Sequence, residues 1–418
     1  MRSDRVAAIT GLGIVSPIGV GIDDFWTSAL RGRSGVAPLT ICNPEALPAW
    51  CRVAAEIKQF NPRAWGLSPA NVRMMGRFTQ YTVASAKMAI EDSGLNGSAA
   101  LSAAHVVVGT AMSGLVDVQQ PGFSAFLRGD RVVPWVPHEY PAHAATSHVA
   151  QSIGAHGQTS TISTLCSAGL DAVGWAAEQI WRGRASVVIA GGAEAPLSDF
   201  TMTAFHAAGV LSQWRGEPER ASRPFDALRS GLVIGEGAAA LVIEEQEHAR
   251  ARGATIYGVI GGYESGSEGG HLHHTDMSGE TASRVMRNVL TQAQLDACDL
   301  DYFCAHGNAM VDYDVAETTA IKRAFGRSAY NFPVSSLKAM CGQAFAASAA
   351  MQVVATCLVM RDQTVFPTIN LEYPDAQCDL DYVPHKARPA RVRNALIHSH
   401  AMGGSHSAML LRTTEPVR

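Results

Sequence analysis

The chain has 418 residues, of which 47% are hydrophobic and 17% charged, and its formal net charge is -4 at pH 7. A general nucleic-acid-binding protein normally carries a surplus of basic residues, so this charge argues against that class. It suits a protein that meets small molecules or partner proteins through local patches.

The first residues lead directly into an apolar, strand-like segment without the pattern of a secretory signal. The longest apolar run, residues 344–360, is rich in alanine and interrupted by Ser348 and Gln352, which favours a buried helix over a membrane span. The 8 cysteines are scattered without a CxxC pair, so we expect reduced thiols in the cytoplasm.

Short β-branched or aliphatic runs without polar alternation predict strands that are buried on both faces. In chain order they are 6–11, 104–109, 159–165, 186–190, 238–243 and 395–398. Helical patterns lie between them, at 77–93, 167–181 and 281–292. Strands alternating with helices predict an α/β fold.

Two segments suggest an internal duplication. Each of residues 186–193 and 395–404 is a strand that ends in a glycine turn. The stretches 117–142 and 261–278 have looser patterns and are expected as loops or caps.

Cys166 carries the strongest chemical signal, because it stands where the strand 159–165 passes into a helix. Unpaired backbone N–H groups and the positive end of the helix dipole stabilise a thiolate, the nucleophilic form. The same N–H groups can hold an oxyanion when a thioester is attacked. A small buried cysteine at a tight turn remains an equal interpretation of this spacing.

His306 ends a buried strand at a His-Gly step, a position suited to acid–base or hydrogen-bonding work, although a lone histidine is more often structural. Asp314 and Glu317 follow at a spacing that places both on one side of a helix start, where capping is the alternative role. Lys338 precedes a helix of small residues, which suggests either a buried cation or an ordinary solvated lysine.

The turn at residues 399–404 holds His400, Met402, Gly403 and Gly404, and its backbone can approach a ligand closely or simply form a tight turn. The glycines after residue 10 lack the third glycine and the acidic partner of a dinucleotide site. The histidines of segment 271–274 lie in a glycine-rich stretch without a matched second pair of ligands, so a surface loop is favoured and no metal site is predicted.

Taken in order, these pieces resemble the elongating β-ketoacyl-acyl-carrier-protein synthases and the related type II polyketide ketosynthases. The resemblance covers nearly the whole chain and includes segments 10–19 (TGLGIVSPIG), 75–81 (MGRFTQY), 191–194 (GGAE), 223–229 (RPFDALR) and 235–238 (GEGA). It implies a thiolase fold, with duplicated βαβαβαββ halves in five layers (αβαβα), divided here as residues 1–255 and 256–418. It also implies a homodimer or a heterodimer with another ketosynthase-like chain, and neither nucleic acid nor membrane as a partner.

Carried over by position, the resemblance implies that Cys166 accepts an acyl chain from an acyl carrier protein. His306 would help decarboxylate a malonyl extender, and Lys338 would organise the site electrostatically, together with Glu317. The backbone N–H groups of Cys166 and Met402 would form the oxyanion hole. No bound cofactor is expected, since phosphopantetheine arrives on the carrier protein.

The chain departs from the family pattern around this site. Where relatives have a second histidine, in Lys-Ser-Met-Thr-Gly-His, this chain has Gln343, and glutamine cannot exchange a proton near neutral pH. Three further positions differ. Met402 stands where relatives have the gating phenylalanine, His400 stands where they have a second phenylalanine nearby, and Gln352 stands where they have a glutamate. The threonine-rich turn that contacts pantetheine in relatives contains Asn308 and Met310.

The sequence therefore predicts a ketosynthase-like condensing enzyme of polyketide or other secondary-metabolite biosynthesis, with an atypical Cys-His-Gln site in which His400 replaces the lost imidazole. One alternative is a non-decarboxylating acyltransferase that uses the same cysteine. The other is a non-catalytic partner subunit of the chain-length-factor type, although such partners usually lose the cysteine that this chain keeps.

Overall fold

The structure, a computed structural model, describes residues 5–43, 45 and 47–414. Its strands are β1 Ala7–Ser16, β2 Gly19–Val20, β3 Val36–Pro38, β4 Val53–Ala55, β5 His105–Gly109, β6 Thr159–Ile162, β7 Val187–Glu194, β8 Gly237–Glu245, β9 Gly258–Ser267, β10 Tyr302–Cys304, β11 Val334–Ser335, β12 Thr364–Val365, β13 Arg388–Pro389, β14 Asn394–Ala401 and β15 Ser405–Arg412. Its α-helices are α1 Ile22–Leu30, α2 Pro69–Met74, α3 Arg77–Asp92, α4 Gln119–Leu127, α5 Val136–Glu139, α6 Ala144–Ile153, α7 Ala168–Trp181, α8 Asp199–Ala207, α9 Gln246–Ala251, α10 Glu280–Ala293, α11 Val311–Phe325, α12 Lys338–Cys341 and α13 Phe345–Asp362.

The main sheet runs β11-β10-β14-β15-β9-β1-β8-β7-β5-β6 and shows an internal duplication. If the five strands of each half are numbered 1 to 5 in chain order, both halves show the same order across the sheet, 3-2-4-5-1. The two sets of strands meet where β1 pairs with β9. In each half two pairings are parallel and two are antiparallel, so four strands run in one direction and a single strand, β8 or β15, runs against them. This repetition agrees with the predicted thiolase fold.

The helices complete a five-layered arrangement. α7 and α13 pack against each other and against strands of both halves, which makes them the central layer. α3 and α6 cover one outer face, and α10 and α11 cover the other. β1 is buried along its whole length, as expected for an apolar strand covered on both faces.

Most predicted elements are present, with shifted ends. The strand predicted at 159–165 stops at Ile162, and a 3-10 turn, Leu165–Ser167, follows it. The stretch 117–142, which was expected as a loop or cap, contains the short helices α4 and α5. The corresponding prediction for 261–278 is wrong in part, because this segment begins inside β9. β15 was not predicted. The division at residues 255 and 256 stays a prediction.

The predicted buried helix at 344–360 is confirmed as α13, whose residues from Phe345 to Met360 are buried. In the described part of the chain, no helix combines the length and the hydropathy that a membrane span requires.

Candidate active site

Cys166 lies in the tight turn that joins β6 to α7. The preceding residue, Leu165, adopts a positive φ of 54°, a conformation that is strained for a branched side chain and is typical of functional turns. The turn places Cys166 two residues before Ala168, the first residue of α7, with Ser167 as the N-cap between them. Its carbonyl oxygen accepts a hydrogen bond from Ser399 Oγ at 3.1 Å, which anchors the turn to β14.

Two groups donate hydrogen bonds to the Cys166 sulfur. The side-chain amide of Gln343 places Nε2 3.1 Å from Sγ, and the backbone N–H of Met402 is the second donor. The side-chain oxygen Oε1 of Gln343 has no hydrogen-bond partner among the described residues, although the side chain is buried. The Gln343 side chain is therefore in direct contact with the Cys166 sulfur.

Burial dominates the electrostatics of the thiol. Cys166 is 3% exposed, and burial raises its pKa to about 12, although Lys338, the Met402 N–H and the Gln343 amide all oppose the shift. The buried carboxyl of Glu194 contributes in the raising direction. Desolvation therefore outweighs the groups that the sequence analysis identified as stabilising a thiolate, and the resting form is the thiol.

His306 is held in one tautomer by a backbone contact. The His400 backbone N–H lies 3.2 Å from Nδ1 of His306, and because an amide can only donate, Nδ1 accepts. The ring is neutral, since burial lowers its pKa well below the usual value and the nearby Lys338 adds to that effect. The proton therefore sits on Nε2, which has no partner among the described residues. His306 thus offers one unengaged N–H donor.

Lys338 is buried beneath these groups. Its Nζ donates to the backbone oxygen of His306 at 2.7 Å and to Oε1 of Gln352 at 3.2 Å. Burial lowers the pKa of Lys338 to about 8, and nearby Cys304, Glu317 and Cys166 act against that shift. Lys338 forms its side-chain hydrogen bond with the neutral Gln352 amide. The predicted partner Glu317 acts on Lys338 through the electrostatic effect of its charge.

Glu317 and Asp314, both on α11, fix the backbone around His306. Glu317 accepts the N–H groups of His306 and Gly307 at 2.7 and 2.8 Å, and Asp314 accepts that of Asn308 at 3.1 Å. Gly307 has a φ of 37°, and a Cβ there would lie 2.7 Å from Ser336 Cβ, so only glycine fits this turn. Both carboxylates position the site rather than cap a helix.

The residues predicted to bind substrate have different local roles. Asn308 is buried and accepts the Met310 N–H at 3.0 Å, so its carboxamide shapes the turn. Met310 packs on the apolar cluster that surrounds Cys166. Gly403 and Gly404 have φ values of 91° and 80° and form the turn after Met402. Direct contact of these four residues with substrate stays a prediction.

His400 donates its backbone N–H to His306, and the two imidazole rings lie 5.9 Å apart, but no hydrogen bond in the described residues joins the His400 imidazole to His306 or Cys166. Its ring stacks on Tyr313 at 4.3 Å and on His406 at 4.1 Å, and Nε2 lies 3.6 Å from Oε1 of Glu268. The described contacts therefore do not support His400 as the replacement imidazole at the sulfur. Instead it belongs to a separate buried cluster.

Three members of that cluster were missed from the sequence: His398, His406 and Glu268. Residues 400 and 406 are directly opposite across the β14–β15 pair, and residue 398 lies two positions along β14 on the same face. Two histidines flanking a Gly-Gly turn at matched distances would have indicated this pairing. Glu268 gives no local signal, because strand order alone brings β9 beside β15.

The whole fold is similar to that of solved ketosynthase structures. Among solved structures, the chain is similar to a type II polyketide ketosynthase in complex with its acyl-carrier protein and a hexaketide, with a TM-score of 0.90, 32% identity and coverage of 99% of this chain and 100% of that one. It is also similar to the ishigamide ketosynthase/chain length factor, with a TM-score of 0.91, 29% identity and coverage of 99% and 100%. These similarities define the class of thiolase-fold ketosynthases.

The sequence comparison gives the family. The profile of the β-ketoacyl synthase N-terminal domain matches residues 4–249, and that of the C-terminal domain matches residues 257–372. A putative polyketide β-ketoacyl synthase 1 of Streptomyces cyaneus is 40% identical over 415 residues, covering 97% of this chain and 98% of the relative. The chain belongs to the β-ketoacyl synthase family. The predictions of family, thiolase fold and a ketosynthase-like condensing function are thereby confirmed.

Proposed function

We propose that the chain catalyses decarboxylative carbon–carbon bond formation at an atypical site composed of Cys166, His306, Lys338 and Gln343. The observation that carries the proposal is the direct contact of the Gln343 amide with the Cys166 sulfur. His306 accepts the backbone N–H of His400, two residues before Met402, and its Nε2–H has no partner among the described residues. These groups supply a nucleophile and two neutral donors. A chain-length-factor role is disfavoured because this nucleophile is retained.

In the first half-reaction, Cys166 Sγ attacks the thioester of an acyl chain. A C–S bond forms, the bond to the pantetheine sulfur breaks, and the thiol proton passes to the departing thiol. Because the Met402 N–H faces the sulfur, it is well placed to donate to the carbonyl oxygen once charge develops there. Splitting the reaction into acylation and carbon attack is the usual gain of covalent catalysis.

In the second half-reaction, a malonyl-type extender loses CO₂, and the released electron pair forms an enolate. Nε2–H of His306 and the amide of Gln343 would donate to the enolate oxygen, a role that requires hydrogen-bond donors and no exchange of protons. The enolate carbon then attacks the acyl carbonyl. The acyl–sulfur bond breaks, and the thiolate regains a proton.

The proposed substrates arrive on an acyl carrier protein, and a second ketosynthase-like chain is the proposed subunit partner. Two similar structures support this assignment through their own assemblies, one with a carrier protein and one with a chain length factor. The proposed compartment is the cytoplasm, in keeping with 8 cysteines that all lack a disulfide.

The test measures both half-reactions on the purified protein. Acyl carrier protein thioesters should leave an acyl adduct on Cys166 in intact-mass spectra, and malonyl carrier protein should release CO₂. Cys166→Ala should lose the adduct entirely while it keeps its thermal midpoint, and Cys298→Ala, at an exposed cysteine, should behave as the wild type. An adduct that persists in Cys166→Ala contradicts the proposal.

A non-decarboxylating acyltransferase is the second candidate, favoured by the absence of an ionisable side chain at position 343. It would form the same adduct and pass it to an amine, alcohol or thiol. CO₂ release separates the two functions: an acylated protein that never decarboxylates malonyl carrier protein but discharges onto such acceptors is the acyltransferase.

A further inference from the structure

A buried histidine–glutamate cluster lies beside the proposed active site, where three strands of the second half end together. Glu268 directly follows β9, His400 lies near the end of β14, and His406 lies at the start of β15. β15 is paired with both neighbours, so the three side chains converge. Their exposed fractions are only 5%, 2% and 4%.

The potential ligand atoms of the three side chains point toward one another. Oε1 of Glu268 lies 2.8 Å from Nε2 of His406 and 3.6 Å from Nε2 of His400, and one ligand atom from each residue falls within 4.8 Å of the others. Thr275 Oγ1 is 3.0 Å from the same carboxylate oxygen and 3.3 Å from His400 Nε2. A tetrahedral zinc ion with ligands at about 2.0–2.2 Å fits this set after sub-ångström shifts and retains a fourth position.

The hydrogen bonds along the cluster need one more positive charge than its neutral histidine rings supply. Two imidazoles bridge two carboxylates: Glu268 contacts His406, His406 Nδ1 contacts His398 Nε2 at 3.3 Å, and His398 Nδ1 contacts Glu317 at 2.6 Å. These three contacts require three protons, whereas two neutral rings carry only two. The missing positive charge is therefore either an extra proton or a metal ion at the Glu268 end.

The position of His400 distinguishes the two cations. A proton serves one nitrogen–oxygen contact, but both His400 and His406 direct Nε2 at the same oxygen of Glu268. A metal ion can take both nitrogens and the carboxylate. With a metal on Nε2, His406 donates its Nδ1–H to His398, and His398 donates to Glu317, which is the carboxylate–histidine support that metal ligands usually have. Glu268 is oriented in turn by the N–H of Asp276 at 3.0 Å.

We propose that Glu268, His400 and His406 form a binding site for a divalent transition-metal ion of the zinc class. Two imidazoles and a carboxylate suit this class better than Mg²⁺ or Ca²⁺, which take oxygen ligands. The ion joins the end of β9 to the hairpin that carries Met402 over Cys166. The assignment stands independently of the acyl-transfer chemistry.

The experiment titrates chelator-treated, full-length protein with Zn²⁺ by isothermal calorimetry. One ion per chain should bind with a Kd below about 1 µM. Glu268→Gln and His406→Gln should each weaken binding at least about 100-fold. A triple His271→Ala, His273→Ala, His274→Ala variant of the exposed loop and a Cys166→Ser variant should bind as the wild type does.

X-ray absorption on the zinc-loaded wild type provides a readout that does not depend on the folding of any variant. The expected first shell contains nitrogen and oxygen only, with two imidazoles. A sulfur ligand, fewer than two imidazoles, a loss of binding in the loop variant, or no binding below about 100 µM overturns the proposal. In the last case the cluster is held by a proton instead.

Discussion

At the scale of single residues, the polar groups around the Cys166 sulfur are donors. The Gln343 amide and the Met402 N–H donate to the sulfur, and His306, which accepts the backbone N–H two residues before Met402, carries a further N–H. Each can stabilise negative charge, yet none of them can remove the thiol proton. The site therefore stabilises charge that develops during the reaction, rather than storing a thiolate beforehand. This arrangement suits oxyanion and enolate stabilisation.

The raised thiol pKa has a direct consequence for pH dependence. Well below a pKa of about 12 the thiolate fraction grows tenfold per pH unit, so alkylation of Cys166 by iodoacetamide should accelerate through pH 10 without a plateau. Peptide mass spectrometry gives the rate at Cys166, with exposed Cys298 as an internal control for the reagent. A plateau near neutral pH would reveal a stabilised thiolate and contradict the electrostatics described above.

Gln343→His tests whether the amide limits decarboxylation. An imidazole can carry positive charge and then donates more strongly to the enolate oxygen than a neutral amide does, so we expect CO₂ release from malonyl carrier protein to rise about tenfold, equivalent to about 1.4 kcal/mol in the barrier. Gln343→Asn, which keeps an amide but withdraws it from the sulfur, is the control and should not gain activity. If the histidine variant stays flat while His400→Ala abolishes release, the working imidazole is at position 400.

The sequence identifies residues whose motifs are local and misses those that meet only through the sheet. Cys166, His306 and Lys338 each end a recognisable segment, so pattern and resemblance find them. Glu268 depends on the pairing of β9 with β15, two strands that are far apart in the sequence, and no local motif encodes that pairing. The raised thiol pKa has no local sequence signal for a related reason, because desolvation depends on packing from α13 and the β14–β15 turn.

At the scale of elements, the two central helices approach so closely that their contact decides where Cys166 sits. A Cβ at Gly169 would lie 2.2 Å from the backbone oxygen of Ala346 and 2.9 Å from the backbone nitrogen of Ala350. Backbone atoms cannot yield as a side chain can. The interior strands were predicted for a similar reason: continuous apolar runs signal burial, whereas the glycine-rich, polar β9 does not.

Gly169→Ala should therefore destabilise the protein, although helix propensity alone favours alanine by about 1 kcal/mol. We expect a loss of about 1–3 kcal/mol in the free energy of unfolding, together with slower acylation of Cys166 as α7 shifts. Urea unfolding and intact-mass kinetics measure the two effects. Gly270→Ala, where a new Cβ meets nothing within 4 Å, should leave both unchanged. Equal stabilities would show that the helices separate readily.

At the scale of the whole molecule, duplication brings the two halves of the site together. The nucleophile comes from the first half, whereas His306, Lys338 and Gln343 come from the second. The similarity between segments 186–193 and 395–404 suggested two similar halves, and the strand order of the sheet repeats in agreement with that suggestion. Which surface receives the carrier protein is a property of the assembled molecule, since net charge says nothing about local patches.

An exposed arginine near the buried cysteine provides a candidate for that surface. Arg215 lies 5.8 Å from the ring centroid of Trp50, and Trp50 packs on the apolar cluster that contains Cys166. An acidic carrier protein would meet this cation while its pantetheine arm enters.

Arg215→Glu should raise KM for acyl carrier protein about tenfold, equivalent to about 1.4 kcal/mol, and more at low salt, with kcat nearly unchanged. The same acyl group on free pantetheine should show no such change, because it lacks the protein surface. Arg287→Glu, an exposed position on outer helix α10, is the matched control. A KM that rises equally for both substrates would mean that Arg215 shapes the pocket itself rather than a docking surface.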